Sequence, residues 1–267
     1  MRTFKNSLRS IASQPVLQPA WNALHKICLT GMNVGPANDP ANSGEAAVLR
    51  RIASELPPNS LPVVFDVGAN VGDYAFEVLN SLGPAAQLFC FEPARCTFDR
   101  LSARFDSNPR VRLHNIGFSS SAGEAALYSD VECSGIASMY DRDLSSARKQ
   151  YTGSETIRLE TIDGFCEAQR IHRIHLLKLD VEGHELCALA GAATMLREKR
   201  IRWIQFEFGG CNVDSRTYLK DFFDLLNREY RLSRILRSGL APIQSYRDMP
   251  EIFITTNYLA ALREESI

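Results

Sequence analysis

The chain has 267 residues, of which 45% are hydrophobic and 23% are charged. These are ordinary values for a globular protein, and they exclude wholesale disorder and fibrous structure. Thirty basic residues stand against thirty-one acidic ones, so the net charge of −1 gives the chain as a whole no electrostatic reason to bind nucleic acid. The length suits one large domain, or one domain with an appendage.

The seven cysteines show no metal-binding pattern. No two of them are spaced as C-x-x-C, so the sequence does not support a zinc cluster, and no resident metal is predicted. Several lie in apolar runs, as Cys90 does in Gln87–Phe91, and are expected to be small buried hydrophobic side chains. This usage favours a reducing compartment, so we expect a cytoplasmic protein.

Residues 1–58 are predicted to form a helical cap or extension ahead of a domain over residues 59–267. The first residues are basic, with Phe4, Leu8 and Ile11 at helical spacing, but they lack the continuous apolar stretch of a signal peptide. No apolar run approaches the roughly 20 residues of a membrane span. Two interpretations stay open: an amphipathic helix packed on the domain or on a second copy in a homo-oligomer, or an anchor at a membrane surface.

Strands and helices alternate after this extension. The apolar run Leu61–Val67 predicts a buried strand, and a helix follows near Asp73–Leu82. Gln87–Phe91 predicts the second strand, Pro93–Phe105 the next helix and Val111–Asn115 the third strand. This rhythm is typical of a doubly wound, mostly parallel α/β sheet of the Rossmann-like kind.

The second half of the chain continues the pattern after an interruption. A polar stretch over Gly117–Tyr151 predicts a hairpin and a surface loop. The elements expected after it are a strand at Thr156–Thr161, a strand at Ile174–Asp180, a helix at His184–Arg197, a strand at Ile201–Phe208, a helix at Thr217–Glu229 and two late strands at Tyr230–Leu236 and Glu251–Thr256. The two late strands are predicted to pair in antiparallel fashion.

The loop after the first strand indicates a ligand other than a dinucleotide. Counting from Gly68, a G-x-G-x-x-G fingerprint would need glycine where Asn70 and Asp73 stand. An acid at the start of the helix would also repel a pyrophosphate. A nicotinamide-dependent oxidoreductase therefore remains only a distant alternative.

An acid at the end of the second strand points to a nucleoside. Glu92 lies 20 residues after Gly72, where a carboxylate can accept both hydroxyls of a ribose. A glycine loop and a ribose acid without phosphate-binding chemistry suggest S-adenosylmethionine, whose ammonium Asp66 could hold. The alternative is a glycine turn that only packs. The residues expected to bind this cofactor are Asp66, Gly68, Ala69, Asn70, Gly72, Tyr74, Glu92, Pro93 and Asn115.

A second acidic strand end supplies candidate catalytic residues. Lys178 precedes Asp180 and Glu182 at the edge of one strand, and Glu207 follows the next strand on the same rim of the sheet. These charges are either a structural ion pair and helix start or a set used in catalysis. His184 is the best base by its ordinary pKa, although a surface role fits it as well.

Three of these strings, Phe65–Tyr74, Phe91–Pro93 and Leu177–Glu185, resemble the FkbM family of S-adenosylmethionine-dependent methyltransferases. Thr161–Asp163 and the Asn257–Tyr258 pair add to the resemblance. It implies the class I methyltransferase fold, a seven-stranded sheet whose last strand is antiparallel. It also implies O-methylation of a hydroxyl on a sugar, a glycan or a polyketide-type small molecule.

Two variants of this function remain open. Two or more carboxylates on the rim could hold Mg²⁺ through oxygen ligands and assist the transfer, although Mg²⁺ is not predicted. The chain could instead be a non-catalytic protein that binds S-adenosylmethionine. The acceptor is expected to be a small molecule or glycan and not a nucleic acid.

Overall fold

The computed structural model describes residues 12–35, 40–142, 144 and 149–263. The chain divides into two compact units, Met1–Gly35 and Pro36–Ile267. This division differs from the boundary near residue 58 that the sequence suggested. The helical stretch before residue 58 thus belongs in part to the larger unit.

The described part of the N-terminal unit is largely helical. A short 3₁₀ turn, Pro15–Leu17, leads into α1, Gln18–Gly31. The basic segment with Phe4, Leu8 and Ile11, for which the sequence suggested an amphipathic helix, lies outside the described residues. No helix in the described part of the chain is long and apolar enough to cross a membrane.

The larger unit begins with two helices, α2 at Pro40–Ser43 and α3 at Glu45–Glu55. The N-cap of α3 is Gly44, which lies in the left-handed region. The Oγ of Ser43 accepts a hydrogen bond from the Glu45 amide at 3.2 Å. The helix ends before Pro57 and Pro58, since proline is not tolerated in a helix interior.

The central sheet has eight strands. They are β1 (Val63–Val67), β2 (Gln87–Phe91), β3 (Val111–His114), β7 (Ile174–Leu179), β8 (Ile201–Phe208), β9 (Tyr230–Leu236), β10 (Gly239–Ile243) and β11 (Thr256–Leu262). Their order is β10-β9-β11-β8-β7-β1-β2-β3. The strands β3, β2, β1, β7 and β8 are parallel, and β11 runs antiparallel between β8 and β9. The predicted doubly wound sheet with an antiparallel last strand is therefore confirmed.

Two details of the sheet differ from the sequence prediction. The second late strand lies at Thr256–Leu262 and not at Glu251–Thr256, because the apolar residues around Phe253 pack from a loop instead. An additional strand, β10, pairs with β9 at the edge of the sheet. Its Pro242 lacks the amide that an interior strand would need, and an edge position tolerates this.

Helices cover both faces of the sheet. They are α4 (Asp73–Ser81), α5 (Arg95–Phe105), α6 (Ile162–Ala168), α7 (Glu185–Ala190), α8 (Ala193–Arg197), α9 (Cys211–Ser215) and α10 (Leu219–Leu226). On one face, Leu49 and Ile52 of α3 pack against Val64 and Trp203. The helix predicted over His184–Arg197 is interrupted and forms α7 and α8.

A second, three-stranded sheet stands beside the main one. Its strands are β4 (Gly117–Phe118), β5 (Gly123–Ser129) and β6 (Gly153–Glu160), in the order β4-β6-β5. β5 and β6 pair in antiparallel fashion, and the loop between them begins at Asp130. The sequence predicted a hairpin within Gly117–Tyr151, whereas its second strand, β6, lies beyond that stretch.

A disulfide bond joins this loop to helix α5. Cys133 of the loop is bonded to Cys96 of α5, with the Cα atoms 5.1 Å apart. The sequence did not predict this pairing, because residues 37 positions apart meet only in the folded chain. The expectation of small buried side chains holds for Cys90 and Cys166, which are free and buried.

Candidate active site

The loop after β1 is shaped by two glycines with positive φ. Gly68 has φ = 80°, and a Cβ atom there would lie 1.8 Å from the carbonyl oxygen of Asp180. Gly72 has φ = 87°, and its Cβ would lie 2.3 Å from the ring of Phe105 in α5. Side chains are excluded at both positions, so the loop packs directly against the end of β7 on one side and against α5 on the other.

Glu92, at the end of β2, fixes this loop. Its Oε2 accepts a hydrogen bond from the Asn70 amide at 2.9 Å, and its Oε1 accepts one from the Ala94 amide at 2.9 Å. The side-chain amide of Asn115 donates to the backbone carbonyls of Glu92 and Pro93. Burial raises the pKa of Glu92 to about 7, although the hydrogen bonds from the Ala94 and Asn70 amides lower it. Each carboxylate oxygen retains a lone pair for a ligand hydroxyl.

Strand register brings charged residues together behind the rim. Asp66 of β1 is aligned with Lys178 of β7, which is aligned with Gln205 of β8. The Nζ of Lys178 lies 3.0 Å from Asp180 Oδ2 and 3.8 Å from Asp66 Oδ1. Neither carboxylate oxygen of Asp66 has a hydrogen bond partner in the described part of the chain. Burial raises the pKa of Asp66 to about 6, and the Lys178 ammonium opposes that shift.

A buried polar chain supports Lys178 from the α3 side. Its ammonium lies 4.7 Å from the ring centroid of Tyr74, whose hydroxyl donates to Gln205 Oε1 at 3.0 Å. Gln205 Nε2 in turn donates to Glu45 Oε1 at 2.6 Å. Tyr74, predicted to bind the cofactor, therefore contacts Lys178 and Gln205 of this buried network instead. Sequence reasoning missed Glu45 and Gln205, because 160 residues separate them and no spacing reveals the contact.

The turn after β7 holds Glu182 in a left-handed conformation. Its φ is 52°, which is strained for a residue with a side chain. Arg142 Nη1 donates to Glu182 Oε2 at 2.6 Å, and the Ser138 hydroxyl donates to the Glu182 carbonyl at 2.8 Å. Burial and the charge of Asp180 raise the pKa of Glu182 to about 7, although Arg142 lowers it. A carboxylate with this pKa is suited to take up a proton near neutral pH.

Glu185 and Glu207 complete the acidic group. Glu185 is fully buried and accepts hydrogen bonds from the amides of Val181 and Gly183, so it fixes the turn. Burial, followed by the charges of Asp180 and Glu182, raises the pKa of Glu207 well above its usual range.

His184 lies in a closed environment. Its Nδ1 is 3.0 Å from the Tyr140 hydroxyl and its Nε2 is 2.9 Å from the Ser119 hydroxyl. Burial lowers the pKa of His184 to about 4, so the ring is neutral at pH 7. The ordinary pKa that made His184 the best candidate base is therefore not the one it has in the fold. Its two hydroxyl partners lie 44 and 65 residues away and carry no sequence signal.

A cavity of about 100 Å³ lies at the carboxyl end of the parallel strands. The predicted site residues that line it are Gly68, Asn70, Glu92, Pro93, Asp180, Glu182 and His184. The predicted residues outside its lining are Asp66, Ala69, Gly72, Tyr74, Asn115, Lys178 and Glu207. Two of the latter contact lining residues: Asn115 donates to the carbonyls of Glu92 and Pro93, and Lys178 pairs with Asp180.

The loop that carries Cys133 forms one wall of the cavity. Ser134, Gly135, Ala137 and Met139 line it, and sequence reasoning did not identify them. The Ser134 hydroxyl donates to the Asp130 carboxylate, which also pairs with Lys149. Small-molecule pockets generally enclose about 300 Å³ or more, so the cavity in this structure is smaller than a typical ligand site.

No metal site is formed by the residues that the structure describes. Within them, no group of three His, Cys, Asp or Glu side chains has an arrangement that could hold a metal ion. The carboxylates of Asp180 and Glu182 are instead neighbours of Lys178 and Arg142 respectively.

Comparison with known proteins identifies a family and several relatives. The profile of the Methyltransferase FkbM domain matches residues 66–232. Hexuronic acid methyltransferase AglP of Haloferax volcanii is 31% identical over 167 residues, which cover 62% of this chain and 64% of that protein. 2-O-methyltransferase NoeI of Sinorhizobium fredii is 28% identical over 171 residues, which cover 60% of this chain and 68% of that protein. The match thus spans less than two thirds of the Haloferax relative.

Among solved structures, an S-adenosylmethionine-dependent O-methyltransferase from Thermotoga maritima can be superimposed with a TM-score of 0.40 at 10% sequence identity. The superposition covers 82% of this chain and 66% of that one.

Proposed function

The chain belongs to the FkbM methyltransferase family, and from this premise we propose that it is an S-adenosylmethionine-dependent O-methyltransferase that acts on a hydroxyl of a sugar or glycan. One observation carries the proposal. A single cavity has Glu92 and the glycine loop on one side and the acidic turn with Glu182 on the other. A ribose-binding acid and a base with a pKa of about 7 therefore face the same space.

The residues present fit the cofactor. Asp66 is a buried carboxylate whose oxygens accept no hydrogen bond from the described residues, with the Lys178 ammonium 3.8 Å away, and a further nearby cation such as the ammonium of S-adenosylmethionine would stabilise its charge. The side chain lies behind the cavity wall, so it would act through its neighbours Lys178 and Asp180 or through water. Glu92 would accept the ribose hydroxyls, and the Asn70 backbone would lie against the adenosine.

Methyl transfer requires that the acceptor oxygen is aligned with the methyl group and that the acceptor hydroxyl loses its proton. When bound, S-adenosylmethionine supplies an activated methyl group, so that the acceptor hydroxyl becomes a methyl ether and releases a proton. Glu182 is the residue proposed to take that proton, because its raised pKa leaves it ionised yet basic near pH 7. Arg142 orients the Glu182 carboxylate through the hydrogen bond of 2.6 Å.

His184 is proposed to position the acceptor and not to act as the base. Its ring is neutral, and both nitrogens already have hydroxyl partners in Tyr140 and Ser119. A polar, uncharged side chain that lines the cavity beside Glu182 can limit the orientation of a sugar. Most of the gain in rate would come from holding the reacting oxygen in line with the methyl group.

The acceptor class rests on the relatives. The Haloferax relative is named for hexuronic acid and the Sinorhizobium relative for 2-O-methylation. A polyketide-type small molecule remains the alternative acceptor, and a nucleic acid is not proposed. Titration of the chain with S-adenosylmethionine, followed by trials with uronic acid oligosaccharides, tests the proposal. If the cofactor binds and no acceptor of any class is methylated, the non-catalytic alternative is favoured.

The variant in which Mg²⁺ assists the transfer is an alternative mechanism for the same reaction. It predicts that a chelator abolishes turnover and that added Mg²⁺ restores it. The mechanism that uses Glu182 as the base predicts no change with chelator. Measuring turnover of the wild-type protein with and without chelator is sufficient to distinguish the two mechanisms.

A cytoplasmic location is also a proposal, and the bond between Cys96 and Cys133 offers a test of it. A reducing compartment would keep these two residues as thiols. Alkylation of the protein in freshly lysed cells, followed by mass spectrometry, reports their state. Labelled Cys96 and Cys133 would support a cytoplasmic location, whereas a bonded pair would favour an oxidising compartment.

A further inference from the structure

Helix α1 presents an apolar face to the surroundings. Trp21, Leu24 and Ile27 are 45%, 49% and 68% exposed, and none of the fourteen residues of the helix, all of them described, is buried. At 100° per residue, these three side chains and Cys28 fall within an arc of about 120°. Burying large apolar side chains is favourable, so a face of this kind requires a partner or an apolar phase.

The opposite face of α1 carries one lysine, and the sequence before the helix is basic. Lys26 lies on the far side of α1 from Leu24, at the spacing of an amphipathic helix. The sequence before Asp39 also contains Arg2, Lys5 and Arg9 and not a single acidic residue. This segment is therefore positively charged, although the chain as a whole has a net charge of −1.

We propose that α1 lies in the surface of an anionic lipid bilayer, with its apolar face towards the acyl chains and its basic residues among the headgroups. An exposed apolar arc backed by cations without acids is the pattern of an interfacial helix. At 14 residues the helix is shorter than the roughly 20 residues needed to span a bilayer, so it lies along the surface.

The indole N–H of Trp21 is already hydrogen-bonded within the protein, so the ring can enter an apolar phase. Its Nε1–H donates a hydrogen bond of 2.7 Å to the Ala12 carbonyl, so no unpartnered donor would enter the lipid. The other tryptophan, Trp203, is only 3% exposed in the sheet. The emission of Trp203 should therefore not respond to lipid, and any response reports on Trp21.

The test measures tryptophan emission of the full chain with vesicles of phosphatidylcholine and phosphatidylglycerol. We expect a blue shift that is absent with pure phosphatidylcholine, weakens in high salt and disappears in the Trp21→Phe variant. No shift with anionic vesicles would overturn the proposal. A blue shift that appears without lipid and grows with protein concentration would also overturn it, because it would mean that a second copy covers the face.

Sedimentation with the same vesicles gives an independent readout. Ile27→Glu is expected to lower the bound fraction at least tenfold. Leu61→Glu is the matched control, because Leu61 is an equally apolar, 64% exposed residue of the larger unit, and this change should leave binding unchanged. Equal losses in both variants, or none in Ile27→Glu, would contradict a site on α1. Circular dichroism of each variant verifies that it is folded.

Discussion

The Oε2 atom of Glu92 accepts a hydrogen bond of 2.9 Å from the backbone amide of Asn70, which ties the glycine loop of β1 to the end of β2. The same carboxylate also holds the Ala94 amide. The residue proposed to bind the ribose thus also shapes the loop that faces the rest of the cofactor.

Replacing Glu92 should therefore weaken cofactor binding. We expect Glu92→Ala to raise the Kd for S-adenosylmethionine about 10- to 100-fold, since hydrogen bonds to a charged group contribute about 1.5–3 kcal/mol. Calorimetric titration measures the change. Glu124→Ala, at an exposed position of β5, is the control and should bind normally. An unchanged Kd for Glu92→Ala would remove Glu92 from the cofactor site.

The rate of methyl transfer should depend on the ionisation of Glu182. Burial raises the pKa of this carboxyl to about 7, and a base must be ionised, so kcat should fall as the pH drops through about 7. Glu182→Gln should lower kcat about 10²- to 10⁴-fold while S-adenosylmethionine still binds. The pH profile of kcat provides the measurement.

A variant of His184 distinguishes Glu182 from His184 as the catalytic base. The pKa of His184 is lowered to about 4, so His184→Asn should change the rate but leave the inflection near pH 7 in place. Loss of that inflection in His184→Asn, together with its persistence in Glu182→Gln, would assign the base to His184 instead.

In protein in which Cys96 and Cys133 are bonded, as in this structure, the disulfide should restrain the loop that forms one wall of the cavity. Cys133 precedes the lining residues Ser134 and Gly135, and its bond to Cys96 anchors them to α5. Cys96→Ser should therefore increase the rate at which S-adenosylmethionine dissociates, measured by stopped-flow fluorescence. Cys28→Ser, which changes an exposed free cysteine, is the control. Equal dissociation rates in both variants would mean that the bond does not restrain the loop.

The buried chain behind Lys178 should stabilise the fold. Tyr74→Phe leaves the Oε1 of Gln205 without the hydrogen bond that it accepts at 3.0 Å. An unpartnered buried acceptor is expected to lower the free energy of unfolding by about 1–3 kcal/mol, as measured with urea. Tyr128→Phe is the control, because the Tyr128 hydroxyl makes no hydrogen bond among the described residues. A loss of equal size in the two variants would argue against a stabilising role for the hydrogen bond between Tyr74 and Gln205.

The sequence was sufficient for the features that short-range patterns encode. Apolar runs ending in glycine or an acid located β1, β2 and β7, and parallel strands necessarily bring their carboxyl ends to one edge. Gly68, Glu92, Asp180 and Glu182 were assigned to that edge, and all four line the cavity. The doubly wound order followed from the alternation of strands and helices.

Contacts between distant residues could not be obtained in this way. The pairings of Glu45 with Gln205 and of His184 with Ser119 depend on the packing of separate elements. The burial of His184, which lowers its pKa, is a property of the folded environment. An amino-acid pattern specifies neighbours along one helix or strand, whereas these partners are fixed only when the layers assemble.

The central claim, methyl transfer to a hydroxyl at the rim of this sheet, is tested most directly by incubating the chain with methyl-labelled S-adenosylmethionine and fractionated cell extract. We expect label in a sugar-containing fraction with the wild-type chain and none with Gly68→Val, where a side chain would collide with the Asp180 carbonyl. Label found in no fraction, with a wild-type chain that binds the cofactor, would contradict the claim.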